Sequence, residues 1–126
     1  MKKYVLIAST LTVLFVIYLC LSSNTSFYPT LPFDGGSKKG VVDKLEKGDG
    51  QLVELAENNG FHWFGFKGNQ QAGRAALIKE MEYRGLKYDS YDGSGIFFFK
   101  NDEQIIVTGT IWTRDYVLYQ VPAGSY

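Results

Sequence analysis

From Tyr4 to Leu21 the chain runs for 18 residues without a charge, YVLIASTLTVLFVIYLCL, directly after Met1-Lys2-Lys3. As an α-helix rising about 1.5 Å per residue, this run spans roughly 27 Å, close to the thickness of a thin hydrocarbon core. It is apolar all round, so it has no polar face to turn towards water, which disfavours a soluble core helix. Residues 1–22 are therefore expected to be a membrane anchor or signal, with the lipid bilayer as the partner of Tyr4 to Leu21. The apolar stretch is longer than the roughly 7–15 residues of a cleavable signal core, and bulky residues continue to its end. Cys20 and Ser22 make a poor small-residue pair for cleavage, and Tyr18-Leu19 before Cys20 do not suit lipidation of that cysteine. The expectation is an uncleaved, single-pass signal-anchor; cleavage would instead make the remainder a secreted protein.

Lys2 and Lys3 hold the N-terminus in the cytoplasm, and no charge follows the run until Asp34. The C-terminal domain is thus expected outside the cell membrane. Lys38 and Lys39 oppose this only weakly, being near the edge of the region that sets orientation. Cys20 is the one cysteine, so the outer part has no internal disulfide. Small exported domains without disulfides are more typical of bacteria than of eukaryotic secretion.

About 100 residues remain for folding, enough for one domain with its own core. Two of the 13 basic residues fall in the anchor, leaving 11 against 13 acidic ones. With no basic cluster beyond Lys38-Lys39, nothing would release counterions from a phosphate backbone, which excludes nucleic acid as a partner. The 16% aromatic content favours a sheet-rich domain.

Residues 23–40 read as a tether of Ser, Asn, Thr, Pro and Gly. Its aromatics Phe27, Tyr28 and Phe33, with Leu31, suit either the membrane interface or a fold back onto the domain. Over 41–122 an extracytoplasmic α+β domain is expected, followed by a short tail at 123–126. Val42, Leu45, Leu52 and Ala56 fall on a helical stripe that Gly48-Asp49-Gly50 divides into two short helices, with Asn59-Gly60 as the stop. Phe61 to Lys67 is apolar on both faces and reads as a central strand. Asn69 caps a helix to about Arg84, with Gly73, Leu77, Ile78 and Met81 inward and Gly85 as its left-handed end. Strands follow at Leu86–Tyr91, Ile96–Lys100, Gln104–Thr113 and Tyr116–Val121, separated by turns at Asp92-Gly93-Ser94-Gly95, Asn101-Asp102-Glu103 and Arg114-Asp115. The order α-β-α-β-β-β-β makes an antiparallel meander with helices on one face.

Chemistry-bearing motifs are weak. Gly68-x-x-x-x-Gly73-Arg74 follows a strand and opens a helix, but lacks the Lys and the Ser or Thr of a phosphate-binding loop. Asp89 and Asp92 beside Gly93 offer two carboxylates, too few for a tight calcium site, in what is first a turn. His62 is the one histidine, flanked by Phe61 and Trp63, and reads first as a packed residue; catalysis would need a carboxylate such as Asp89 or Glu80 brought to it. No cofactor, metal or catalytic residue is assigned.

The aromatics Tyr91, Phe98, Trp112, Tyr116 and Tyr119 fall on both sheet faces, and a recognition patch is one reading of them. The favoured function is a membrane-anchored interaction module for a protein or peptide of the envelope, with immunity or an accessory role as its forms. The alternatives are a small envelope enzyme using His62 and a carboxylate, and a structural accessory subunit of a membrane complex.

Overall fold

Asn59 and Gly60 both adopt positive φ, 52° and 82°, the two left-handed positions of a type I′ turn that closes a β-hairpin. That turn sets the first half of the domain. The computed structural model describes residues 2–22 and 28–126, with the side chains of 20–22 left aside. Among these residues there are three helices and six strands. They are α1 (Lys2–Ser22), α2 (Lys38–Gly48), β1 (Val53–Asn58), β2 (Phe61–Lys67), α3 (Gln70–Tyr83), β3 (Lys87–Asp92), β4 (Gly95–Lys100), β5 (Glu103–Thr113) and β6 (Tyr116–Pro122).

The second short helix expected around Leu52 and Ala56 is instead β1, paired antiparallel with β2 through the Asn59-Gly60 turn. The order is thus α-β-β-α-β-β-β-β, and Asn59-Gly60 closes a hairpin rather than stopping a helix. Gly48-Asp49-Gly50 does end α2, with Asp49 in the left-handed region at φ 41°. Asn101 and Asp102, at φ 50° and 67°, turn β4 into β5 in the same way as Asn59 and Gly60.

All six strands form one antiparallel sheet in the order β1-β2-β6-β5-β4-β3. The meander β3 to β6 returns to β2, so α3 carries the chain from β2 to the opposite edge. The last strand, β6, lies between β2 and β5 and is not an edge. Both true edges, β1 and β3, carry a register shift, between Glu54 and Ala56 and between Tyr88 and Ser90. Bulged, charged edges resist adding another strand.

Side chains alternate across a strand, and β6 divides the core in two. Val117, Tyr119 and Val121 join Phe64, Phe66, Ile96, Phe98, Val107 and the α3 residues Leu77 and Met81 on one face. Tyr116 and Leu118 join Trp63, Leu55, Trp112 and the α2 residues Val41 and Leu45 on the other. The helices therefore lie on both faces, α3 on one and α2 on the other, not on one as the meander pattern suggested. The reason is visible at Gly65, where an added Cβ would lie 2.5 Å from Leu45 and 2.9 Å from Leu55. The missing side chain lets α2 settle on β2.

From Tyr28 onward the expected tether is part of this second face. Phe33 is buried, with its ring 5.2 Å from that of Trp63. Tyr28 lies 5.4 Å edge-on from Trp112, and the Trp112 indole Nε1 donates to the Pro29 carbonyl at 2.8 Å. Residues 23–27, Phe27 among them, lie outside the described residues. Ser37 accepts from the Gly40 amide at 3.0 Å and caps α2. The Asn69 side chain does the same for α3, accepting from Ala72 at 2.7 Å.

α1 is long and apolar enough to cross a membrane, and none of its 18-residue apolar window is buried. Two of its hydroxyls bond within the helix: Thr10 donates to the Leu6 carbonyl at 2.9 Å and Thr12 to that of Ala8 at 2.8 Å. Such internal bonding suits a medium without water.

Candidate functional site

The expected recognition patch is largely core. Phe98, Tyr119, Tyr116 and Trp112 are 0%, 1%, 4% and 5% exposed, and only Tyr91 faces solvent, at 52%. The physical cause is the central position of β6, which is covered by α3 on one side and by α2 with residues 28–36 on the other. Tyr119 lies in a slot between two glycines, since a Cβ at Gly73 would lie 2.5 Å from its hydroxyl and one at Gly109 would lie 3.0 Å from its ring. Among the described residues its hydroxyl finds no hydrogen-bond partner, and burial pushes its pKa up to about 12 against an opposing pull from Arg74. Gly73 and Gly68, which invited comparison with a phosphate loop, serve packing and turning: the Gly68 amide donates to the Asp115 carbonyl at 2.9 Å.

Tyr116 instead belongs to a brace. Its hydroxyl donates to Glu46 of α2, whose other oxygen accepts from Lys67 of β2 at 2.6 Å. The Lys67 bond, then that from Tyr116, holds the Glu46 carboxyl below its ordinary value, while burial and Glu46 push Tyr116 well above its own. The three groups tie α2 to the sheet.

His62 gains a partner that sequence reasoning did not name. Its Nδ1 lies 3.2 Å from Oε1 of Glu54 on β1, and its ring lies 5.5 Å from that of Tyr126. Asp89 and Glu80, the carboxylates considered for it, are engaged elsewhere. Asp89 accepts from the Ser90 hydroxyl at 2.9 Å, and Glu80 accepts from Arg84 at 2.9 Å. Arg84 in turn lies over the Tyr126 ring at 4.5 Å. The Glu54 partner follows only once the β1–β2 hairpin is known. The pair can position a proton on the imidazole, and the ring's aromatic neighbour is Tyr126. Asp89 and Asp92 are exposed on the edge strand β3. Among the described residues no three His, Cys, Asp or Glu side chains converge into a metal-binding group.

A different surface emerges from the packing. α2 rests on β1 and β2, which leaves the β3–β4–β5 half of that sheet face without a covering helix. Ile96 and Phe98 point to the α3 side with Ile105 and Val107, so Phe97, Phe99 and Ile106 point to the open side. Phe97 lies directly opposite Ile106, and Phe99 opposite Gln104. Ile106 is 47% exposed and the two phenylalanines are half-buried. Gln104 and Thr110 border them in the open, with Thr108 and Gln120 partly covered. This is an apolar strip with a polar rim, the make-up of a surface that excludes water when another chain is laid on it. The signal was present in the sequence as the run Ile96-Phe97-Phe98-Phe99. Apolar residues at every position of one strand imply that one set is core and the other lies on a second face.

No protein-family model, curated protein or solved structure matches the chain.

Proposed function

We propose that this chain is a membrane-anchored module that holds a protein or peptide partner outside the cytoplasm on the open half of its sheet. The observation that carries the reading is the Phe97–Ile106–Phe99 strip, uncovered by any described element on a face otherwise sealed by α2. Apolar side chains laid together on an open sheet face cost water-exposed area that a partner would recover. The bulged edges favour capture by the face over strand addition. Support for the anchor comes from α1, and Lys2 and Lys3 before it favour a cytoplasmic N-terminus. Within a bacterial envelope such a module would serve immunity or act as an accessory to a larger assembly.

The test is photocrosslinking in intact cells from a photoreactive residue at Phe97 or Ile106, with Tyr83 on α3, 87% exposed, as the control position. A discrete crosslinked species from Phe97 and Ile106 but not from Tyr83 supports the reading. Equal, diffuse crosslinking from all three positions removes it.

A second reading rests on the 3.2 Å contact between His62 and Glu54, a base with its orienting carboxylate. It requires that His62→Ala remove an activity while the domain keeps its fold.

A further inference from the structure

The link between α1 and the packed domain is short. α1 ends at Ser22, and the chain is already docked on the domain at Tyr28 and Pro29 by the Trp112 ring and its hydrogen bond. Six Cα steps span at most about 20 Å. Without that docking the free link would extend to Ser37, where α2 is capped, and would reach roughly 50 Å. Packing of residues 28–36 therefore removes more than half of the tether's reach.

The docking point also selects one end of the sheet. Trp112 and Tyr116 lie at the β5–β6 turn, Arg114-Asp115, where β2 also ends at Lys67. From Tyr28 the chain climbs beside the sheet to Phe33 against Trp63, and α2 returns towards Glu46 and Lys67. The turns Asn59-Gly60 and Asn101-Asp102 lie at the far end. β5 runs from Glu103 at that far end to Thr113 beside the docking point, a rise of roughly 33 Å.

We propose that the domain stands on the outer surface of the bilayer with its β5–β6 end against the lipid headgroups and its open sheet face upright. This rests on α1 being the uncleaved anchor. The occupant facing that end is the headgroup layer, because a link of at most about 20 Å from the hydrocarbon edge, of which the headgroups take roughly 5–8 Å, holds the docking point within about 15 Å of their surface. Charge does not oppose the contact: Lys67 and Arg114 stand with Asp49 and Asp115 around one shallow depression at this end, and Tyr28 brings an amphipathic ring of the kind that settles at interfaces. A partner on Phe97, Phe99 and Ile106 must then present its binding segment within roughly 50 Å of the membrane, which points to another membrane-attached chain or to the juxtamembrane part of one.

The experiment uses the full chain carrying Cys20→Ser, with a single spin label at Arg114→Cys or at Glu103→Cys. Both positions are exposed: Glu103 opens β5, and Arg114 lies in the turn just past its other end. The protein is placed in phosphatidylcholine vesicles containing a small fraction of nickel-chelating headgroup lipid. Relaxation of the label by the headgroup nickel is expected to be several-fold stronger at 114 than at 103. Equal relaxation at both positions, or the reverse order, overturns the upright placement. Extraction in carbonate reports separately on the anchor. Protein that stays with the vesicles while neither label senses the nickel keeps the anchor and sinks the placement, whereas protein released by carbonate removes both.

Discussion

Trp112→Phe and Trp112→Ala separate the two descriptions of this tryptophan, surface recognition residue or buried clamp on residues 28–36. Phenylalanine keeps most of the ring packing against Tyr28 and Tyr116 but removes the indole donor from the Pro29 carbonyl. One partly buried hydrogen bond is worth about 1 kcal/mol. Alanine also removes a side chain that is 5% exposed and leaves a cavity, which costs about 3–5 kcal/mol. Against a total stability of order 5–15 kcal/mol, the second change approaches unfolding. For a domain of about 100 residues, 1 kcal/mol shifts the melting temperature by about 4–8 °C. Trp112→Phe is thus expected to melt several degrees lower, and Trp112→Ala to melt lower still or fail to fold. The assay is far-UV circular dichroism of the detergent-solubilised full chain, with α1 present in all variants. Trypsin adds a local readout, because loosening of residues 28–36 exposes Lys38-Lys39 at the start of α2. A Trp112→Ala protein that melts with the parent and is cut no faster would refute the clamp and return Trp112 to the surface.

Other consequences follow from packing and ionisation. Gly65→Ala forces a methyl group towards Leu45 and Leu55, at 2.5 and 2.9 Å, and is expected to cost about 1–3 kcal/mol by chemical denaturation; a neutral result would mean that α2 is free to lift. Tyr119 has its folded pKa raised by burial from the ordinary 10.0 to about 12. Its contribution is present below pH 10 and is lost as pH rises towards 12, on the order of 2 kcal/mol. Tyr119→Phe should flatten that alkaline limb, and an unchanged limb would assign it elsewhere. Lowering of the Glu46 pKa by Lys67 and then Tyr116 has the opposite sense: its stabilisation is present above about pH 4.5 and falls as the carboxyl protonates. Glu46→Gln should therefore narrow the difference between melts at pH 7 and pH 3, and an unaltered difference would show that the brace contributes nothing.

Much of the architecture was legible in local chemistry. Asn69 and Gly85 bound α3 because a side-chain acceptor and a left-handed residue are what helix ends require, and the strands from β3 to β6 follow from turn residues between apolar runs. β1 is concealed because Leu52 and Ala56, four residues apart, also satisfy a helical stripe. The Asn59-Gly60 pair suits a helix end as well as the hairpin that it closes. The pairing of β2 with β6 runs from Lys67 with Tyr116 to Phe61 with Pro122, far apart in sequence, and no turn encodes it. Yet the run Tyr116-Val117-Leu118-Tyr119, apolar on both faces, already described a central strand. A central place between β2 and β5 puts Tyr116 and Tyr119 in the core and out of a partner's reach. The open strip at Phe97, Phe99 and Ile106 becomes identifiable only when α2 is known to stop at β2 and β1. Glu54 meets His62 through the same hairpin that the local pattern concealed.

The most direct test of an anchored, outward-facing module is the intact mass of the protein recovered from membranes, taken together with protease shaving of intact cells. The account predicts a full-length mass and a domain that external protease removes. A mass lacking about 22 residues, as cleavage after a signal segment would give, or a domain that protease cannot reach, would contradict it.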